Sequence, residues 1–234
     1  MTLQEIWNGP LPPPEERTGD QMRAVLADPA CTAEKPLYFM YRDVAMNAAD
    51  REWLRSYDLR FDITVIPPAT LCGEYVKTKG HYHPASPEGP AYPELYQVLA
   101  GTAHYLLQDR ELADAVVIRA AGGDAVLIPP GYGHVTINPG GEDLVMANLV
   151  STRFSSEYEF FEEHRGAAYY ELEGGEWVPN PRYPRPPPLR FADPVEIPAL
   201  CIRHRRSIYE LVGRYSCLSY LNSPAEAMES LAYL

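Results

Sequence analysis

Three histidines and one glutamate stand at spacings that could hold a metal ion. His81 and His83 lie two apart in KGHYHP, so on an extended strand both imidazoles point to one face. Glu94 opens the apolar run ELYQVLAG, and His134 follows the turn PPGYG and opens another. Brought together by neighbouring antiparallel strands, three imidazoles and a carboxylate suit one borderline divalent ion such as Fe(II), Mn(II), Ni(II) or Zn(II). They also leave coordination positions free for water or a substrate's oxygens. Alone, the His-x-His pair reads more simply as two residues of an exposed strand.

The elements that must position these groups are strands. From Leu37 onward, short apolar or alternating runs recur every eight to twelve residues: LYFMY, FDITVI, EYVKTKGHYH, ELYQVLAG, AHYLLQ, AVVIRA, DAVLIPP, HVTIN and LVMANLV. Turn residues separate them, and Val, Ile, Tyr and Thr are abundant with no sustained helical period. An all-β fold, an antiparallel barrel or jelly roll, is the economical solution. AYYELEGGEWV (168–178) reads as a last hairpin with its turn at the glycine pair. The barrel domain is therefore assigned to residues 36–178, preceded by an N-terminal arm (1–35) with a short helix through Gln21–Asp28. PNPRYPRPPP, residues 179–188, reads as a stiff extended linker. A partly helical C-terminal extension (189–234) follows, with SIYELVGRY and SPAEAMESLAYL as helix segments. The extension carries RHRR (Arg203–Arg206), a solvated surface or a docking patch, and IYELVGRYSCLSYL, apolar enough to predict packing across the barrel or a second copy.

Composition narrows the partners. The 234 residues carry a formal charge of −12, which repels a nucleic-acid backbone or an anionic membrane surface and leaves metal ions and small molecules. A phosphorylated substrate would need a site that overcomes this field locally. Residues 1–16 lack a basic start and an apolar core, and no run has the length of a membrane span, so the cytoplasm is the expected compartment. Cys31, Cys72, Cys201 and Cys217 are scattered without a Cys-x-x-Cys pair and are expected to be buried reduced thiols.

The ligand spacings resemble the two cupin motifs. His81-x-His83, ten residues, Glu94, six residues and Gly101 resemble the first; Gly123, five residues, Pro129-x-Gly131, two residues, His134, three residues and Asn138 resemble the second. The loop between His83 and Glu94, PASPEGPAYP, is longer than usual and reads as a rigid insertion. The wording around the ligands, TKGHYH, ELYQVLAG, YLLQ and PPGYGHVTIN, is similar to the archaeal-type, cupin glucose-6-phosphate isomerases over about Leu37 to Tyr158.

That resemblance implies a cytoplasmic homodimer that binds one divalent ion per chain, often iron, and interconverts glucose 6-phosphate and fructose 6-phosphate. His81, His83, Glu94 and His134 match metal ligands. Thr64, Thr78 and Gly80 match positions holding the substrate's phosphate, Tyr38 and Tyr96 match tyrosines lining the sugar site, and Tyr158 is retained near it. Glu94, with Tyr96 beside it, is the candidate base for a proton-transfer route; a metal-assisted hydride shift is the competing route. Lys79 is expected to turn away from Thr78 and Gly80 by strand alternation, and His104 to be a surface or core histidine. Two departures stand out: Val150 replaces a tyrosine, and Ser156 a histidine. A relative acting on another phosphosugar, an oxygen-activating cupin and a non-catalytic sugar-phosphate binder are the rival readings.

Overall fold

The computed structural model of the chain describes residues 2–231. Strands run in chain order as β1 (Glu15–Arg17), β2 (Tyr38–Tyr41), β3 (Leu59–Ile66), β4 (Thr70–Leu71), β5 (Glu74–Tyr75), β6 (Glu94–Ala100), β7 (Thr102–Asp109), β8 (Ala115–Ala121), β9 (Ala125–Ile128), β10 (Tyr132–Ile137), β11 (Leu144–Ser151), β12 (Tyr169–Leu172), β13 (Glu176–Pro179) and β14 (Leu189–Ala192). A six-stranded sheet in the order β1-β2-β3-β11-β6-β9 and a four-stranded sheet β10-β7-β8-β14 form the jelly-roll barrel, with a small sheet β13-β12-β5-β4 beside them. The all-β jelly-roll architecture expected from the apolar runs is thus the one observed.

Strand alternation sorts each run into two faces. Along β3 the inward set is Arg60, Asp62, Thr64 and Ile66; along β6 it is Glu94, Tyr96 and Val98; along β11 it is Met146, Asn148 and Val150. The cross-strand register aligns these sets: Asn148 lies opposite both Asp62 and Tyr96, and Val150 opposite both Arg60 and Glu94. One wall of the barrel therefore carries rows of polar groups at its open end. The outward set, Leu59, Phe61, Ile63, Leu95 and Leu149, belongs to a second core completed by Leu3, Trp7, Leu54, Ile208, Leu211, Leu218 and Leu221. Both faces of this sheet are covered, which is why every residue of β11 is buried.

Several details differ from the sequence reading. A nine-residue helix, Ala48–Ser56, lies inside the segment expected to be free of helix; Asn47 caps it by accepting from the Asp50 N–H at 2.9 Å. Only Leu54 of its residues is buried, so no apolar period marks it, and the signal was the capping pair. The arm's helix is shorter than Gln21–Asp28: Gly19–Met22 is α-helical and Arg23–Val25 is 3-10.

The cysteines are paired, not reduced. Cys31–Cys72 ties the arm to the β4–β5 turn, and Cys201–Cys217 closes a loop of the extension, with Cα separations of 6.1 and 5.5 Å. Pairing across 41 residues follows from the arm folding back, which spacing alone does not reveal.

The proline-rich stretch 179–188 is also more than a spacer. Asn180 is buried and donates to the His164 and Ala167 carbonyls, and the Tyr183 hydroxyl donates to the Gly166 carbonyl at 2.8 Å. The GG hairpin of β12 and β13 forms as expected, and β14 then adds in parallel to β8. The extension folds mainly as 3-10 turns, Ile208–Leu211, Tyr215–Cys217, Ser219–Leu221 and Pro224–Ala227, before a short α-helix, Met228–Leu231. Residues 232–234 of the segment expected to be helical lie outside the described residues.

Candidate metal centre and its pocket

The His81 and His134 backbones bridge in antiparallel fashion, His81 N–H to His134 O at 3.3 Å and His134 N–H to His81 O at 3.1 Å, which sets the two imidazoles side by side. The insertion PASPEGPAYP closes on itself through Ser86 N–H to Pro90 O at 2.8 Å and Tyr92 N–H to Pro84 O at 3.2 Å. Its end does positional work, because His83 Nδ1 lies 2.9 Å from the Tyr92 carbonyl. A carbonyl only accepts, so Nδ1 carries the proton and the Nε2 lone pair is left facing the cluster.

Glu94 enters from β6. Its Oε1 accepts from Asn148 Nδ2 at 2.7 Å, and its Oε2 lies 3.3 Å from His83 Nε2, 3.3 Å from His134 Nε2 and 3.9 Å from His81 Nε2. His81 Nε2 and His83 Nε2 are 3.0 Å apart. Buried Glu94 Oε2 has no hydrogen-bond partner among the described residues, so a fully desolvated carboxylate oxygen and three ring nitrogens converge on one point. That is the donor set and the unmet demand of a divalent metal site, and the four residues fit one. Burial would raise the Glu94 carboxyl, but the His134 and His83 rings outweigh it and hold the group well below its ordinary value. Burial pushes His81 far down, helped by the His134 and His83 rings, and pushes His134 down as well. The carboxylate is thus kept ionised, and burial favours the neutral, metal-ready form of His81 and His134.

The centre opens into a cavity of about 370 Å³. Tyr38, Thr64, Thr78, Gly80, Tyr96 and Tyr158 all line it with His81, His83 and Glu94, while His134 sits just behind. The Tyr96 hydroxyl is 3.3 Å from His134 Nε2, and burial raises its pKa well above that of a free phenol, with Glu94 adding to the effect. Thr78 Oγ1 accepts from the Thr136 N–H at 2.9 Å, which leaves its O–H to donate. Gly80 has φ +78°, and a Cβ there would stand 2.6 Å from Val135 Cγ2, so glycine is required at this turn. Val150 and Ser156 both line the cavity, so the two departures noted in the sequence face the site.

Residues 16–186 match the family model described as Glucose-6-phosphate isomerase (GPI). The chain belongs to this family. A glucose-6-phosphate isomerase of Thermococcus gammatolerans is 33% identical over 146 residues, 62% of this chain and 72% of that one. The isomerase of Pyrococcus furiosus is 32% identical over 128 residues, 54% of this chain and 65% of that one. Among solved structures, oxalate decarboxylase of Bacillus subtilis aligns over 53% of this chain and 29% of its own, with 18% identity and a TM-score of 0.38.

In this family member the cavity holds charges that sequence reasoning missed. Arg17 from β1, Arg42 just after β2, Arg60 from β3 and Lys79 all line it, against the carboxylates of Glu15 and Glu94. Lys79 corrects the alternation argument: residues 78–80 are not strand, and the positive φ of Gly80 breaks the alternation. Its Nζ pairs with Glu162 at 2.5 Å and lies 5.3 Å from the Tyr158 ring centroid. Asp62, fully buried, aims two of the arginines: it accepts from Arg42 Nη1 at 2.7 Å and, with both oxygens, from Arg60 Nε at 2.9 Å. Asn148 was also missed, although an amide in the apolar run LVMANLV was a visible signal. His104 proves to be a partly buried residue paired to the Glu171 carboxylate at 2.9 Å, outside the site.

Asp62→Ala is expected to destabilise the fold by about 2–3 kcal/mol, less than the ~3–5 kcal/mol of a wholly buried pair because both arginine heads are about a third exposed. It should also raise KM for an anionic substrate more than it lowers kcat. Urea unfolding and steady-state kinetics check both, and an unchanged KM would show that Arg42 and Arg60 do not meet the substrate.

Proposed function

We infer that this chain is a metal-dependent sugar-phosphate isomerase that interconverts glucose 6-phosphate and fructose 6-phosphate. The observation that carries the reading is one cavity holding a three-histidine, one-glutamate centre at one end and four cationic side chains around it, in a protein of formal charge −12. These cations, three of them held by Glu15, Asp62 and Glu162, offer a phosphorylated substrate guanidinium and ammonium donors beside the metal centre. Thr64, Thr78 and the Gly80 turn would receive the phosphate, with Tyr38 and Tyr158 along the sugar, so that the phosphate acts as a remote handle positioning the reacting carbons.

His81, His83, Glu94 and His134 would hold one divalent ion, Fe(II) first, with Mn(II), Ni(II) and Zn(II) as alternatives. When bound, the ion supplies charge stabilisation for neighbouring substrate oxygens. Glu94, ionised and steadied by Asn148, accepts the proton that moves between C1 and C2 in the proton-transfer route, and the Tyr96 hydroxyl, protonated throughout the working range, donates a hydrogen bond at the same edge. The proposed working form is a cytoplasmic homodimer; its two disulfides then require a cytosol that tolerates them, as in some hyperthermophiles. None of the described helices is long and apolar enough to cross a membrane.

A coupled assay with fructose 6-phosphate tests the reading, on protein loaded in turn with Fe(II), Mn(II), Ni(II) and Zn(II) and with unphosphorylated fructose as comparator. Metal-dependent turnover of the phosphate ester, at least about 10²-fold above fructose in kcat/KM, is expected. Stoichiometric metal uptake with no turnover, or with oxygen consumption instead, would overturn it.

A further inference from the structure

The C-terminal extension, which lies outside the family-matched residues 16–186, builds a second cavity of about 390 Å³. Arg203, Arg206 and Arg214 surround it, and Ile202, Ile208 and Leu211 are among the apolar residues that line it. Glu210 is its one acidic lining residue, so the rim carries a net charge of about +2 in a protein where acids outnumber bases by 32 to 20. Among the described residues none of the three guanidiniums has a carboxylate within ion-pair distance, which is also true of Arg119, Arg165, Arg182, Arg185 and Arg205, whereas Arg23, Arg110, Arg153 and Arg190 are paired. What sets these three apart is that they converge on one hollow whose lining holds a single carboxylate.

The backbone that carries them is fixed. Cys201–Cys217 pins the loop on one side. On the other, Gln97 of β6 grips it from both ends of its amide, accepting from the Ile208 N–H at 3.0 Å and donating to the Arg206 carbonyl at 2.8 Å. The Arg205 N–H is bound to the Gly123 carbonyl at 2.9 Å. The arginines therefore project from a rigid platform, which reduces the ordering cost of binding.

We propose that this hollow is a binding site for a phosphate-bearing small molecule, separate from the metal centre. A dianion matches the net charge of the rim, and the planar guanidinium forks match phosphate oxygens in pairs. The apolar floor takes the organic part of the ligand. The site shares no lining residue with the metal cavity, so it does not depend on the isomerase reading.

Titration calorimetry on the full-length, metal-loaded protein in 0.15 M salt tests this, with pyrophosphate as the probe. The wild type is expected to bind pyrophosphate at the arginine hollow, and at a second site in the metal cavity if the isomerase reading also holds. The combined variant Arg203→Gln, Arg206→Gln, Arg214→Gln should lose the site in the hollow, or weaken it at least about tenfold, while keeping any site in the metal cavity. A charge-matched control, Arg23→Gln, Arg110→Gln, Arg119→Gln, should retain every wild-type site. Equal binding by the two triple variants would overturn the proposal, because net charge alone would then explain the affinity. A comparison of phenyl phosphate with inorganic phosphate at the retained arginine site then identifies the source. Tighter binding of the ester means that the floor is used and the ligand is an organic phosphate; equal binding means free phosphate. Wild-type protein showing a single site that the arginine variant leaves intact would also sink the idea.

Discussion

Glu94→Gln is expected to lower kcat for fructose 6-phosphate by about 10³-fold or more and to weaken metal binding by more than about 100-fold, without unfolding the protein. The two losses have one origin. Among the described residues Glu94 is the one anionic group at the point where three imidazole nitrogens converge, so its replacement by an amide removes both the charge that attracts a dication and the proposed proton acceptor. In the metal-free fold the His134 and His83 rings more than offset the burial of the carboxylate and hold its pKa down, so the ionised group is net stabilising there. The metal-free variant should thus unfold somewhat earlier than the metal-free wild type while remaining folded at neutral pH. Asn148→Leu separates orientation from charge: Glu94 keeps its charge but loses the 2.7 Å bond to Oε1, and an intermediate loss of about 10–100-fold in metal affinity is expected. Metal titration followed by kinetics distinguishes the two. Full activity in Glu94→Gln would remove the carboxylate from the chemistry altogether.

The same cluster sets the pH response. His81 and His134 have depressed values in the folded state, so the unfolded chain takes up protons first as pH falls. Their contribution to stability is complete above the ordinary histidine value of 6.5 and is lost progressively below it. Glu94, also depressed, adds a loss of the same sign at lower pH. Metal affinity must fall in the same direction, because protons compete for the same ring nitrogens.

What the sequence made legible was what has a short period or a fixed spacing. Glu94 opens β6 and His134 lies in β10, as their apolar runs suggested, while His81 and His83 lie outside the strands, His81 on an isolated bridge to His134; the four ligand groups nevertheless meet in one point. The barrel runs were visible for the same reason. The cations of the pocket were not: Arg17 arrives from the arm through β1, and Arg42 and Arg60 are turned inward by a buried aspartate that the run FDITVI presents as a mere interruption. Lys79 was misassigned because alternation was extended across a glycine turn that breaks it. The helix Ala48–Ser56 escaped because it buries a single leucine, and the disulfides because their partners lie on elements whose return path is not encoded locally. In each case the missing information is tertiary, a neighbour supplied from elsewhere in the chain.

Truncation after Pro188 is expected to abolish recovery of soluble, monodisperse protein, although it leaves every residue of the metal centre in place. The extension covers the outer face of the larger sheet. Ile208, Leu211, Leu218 and Leu221 pack in one cluster with Phe61, Ile63, Leu95 and Leu149, and none of these is more than 6% exposed. At about 1.5–3 kcal/mol for each large apolar side chain buried, the four from the extension alone contribute roughly 6–12 kcal/mol, comparable to the ~5–15 kcal/mol by which whole domains are stable. The cut also removes polar ties: Ser151 Oγ donates to Asn222 Oδ1 at 2.6 Å, Asn222 Nδ2 donates to the Tyr57 carbonyl at 2.6 Å, and Gln97 loses both partners in the extension. A buried amide left without partners costs about 1–3 kcal/mol more. What remains would be an exposed apolar sheet face, an aggregation surface. Leu218→Ala provides a graded version of the same test, with about 2–5 kcal/mol of destabilisation expected and a melting temperature lower by roughly 5–15 °C. If the truncated chain stays soluble with an unchanged melting temperature, the extension is an appendage and the second core is not part of the folding unit. If it aggregates while Leu218→Ala keeps its metal at full stoichiometry, the extension stabilises the wall from which Arg60, Glu94 and Asn148 project, acting on the site through the sheet rather than by touching the substrate.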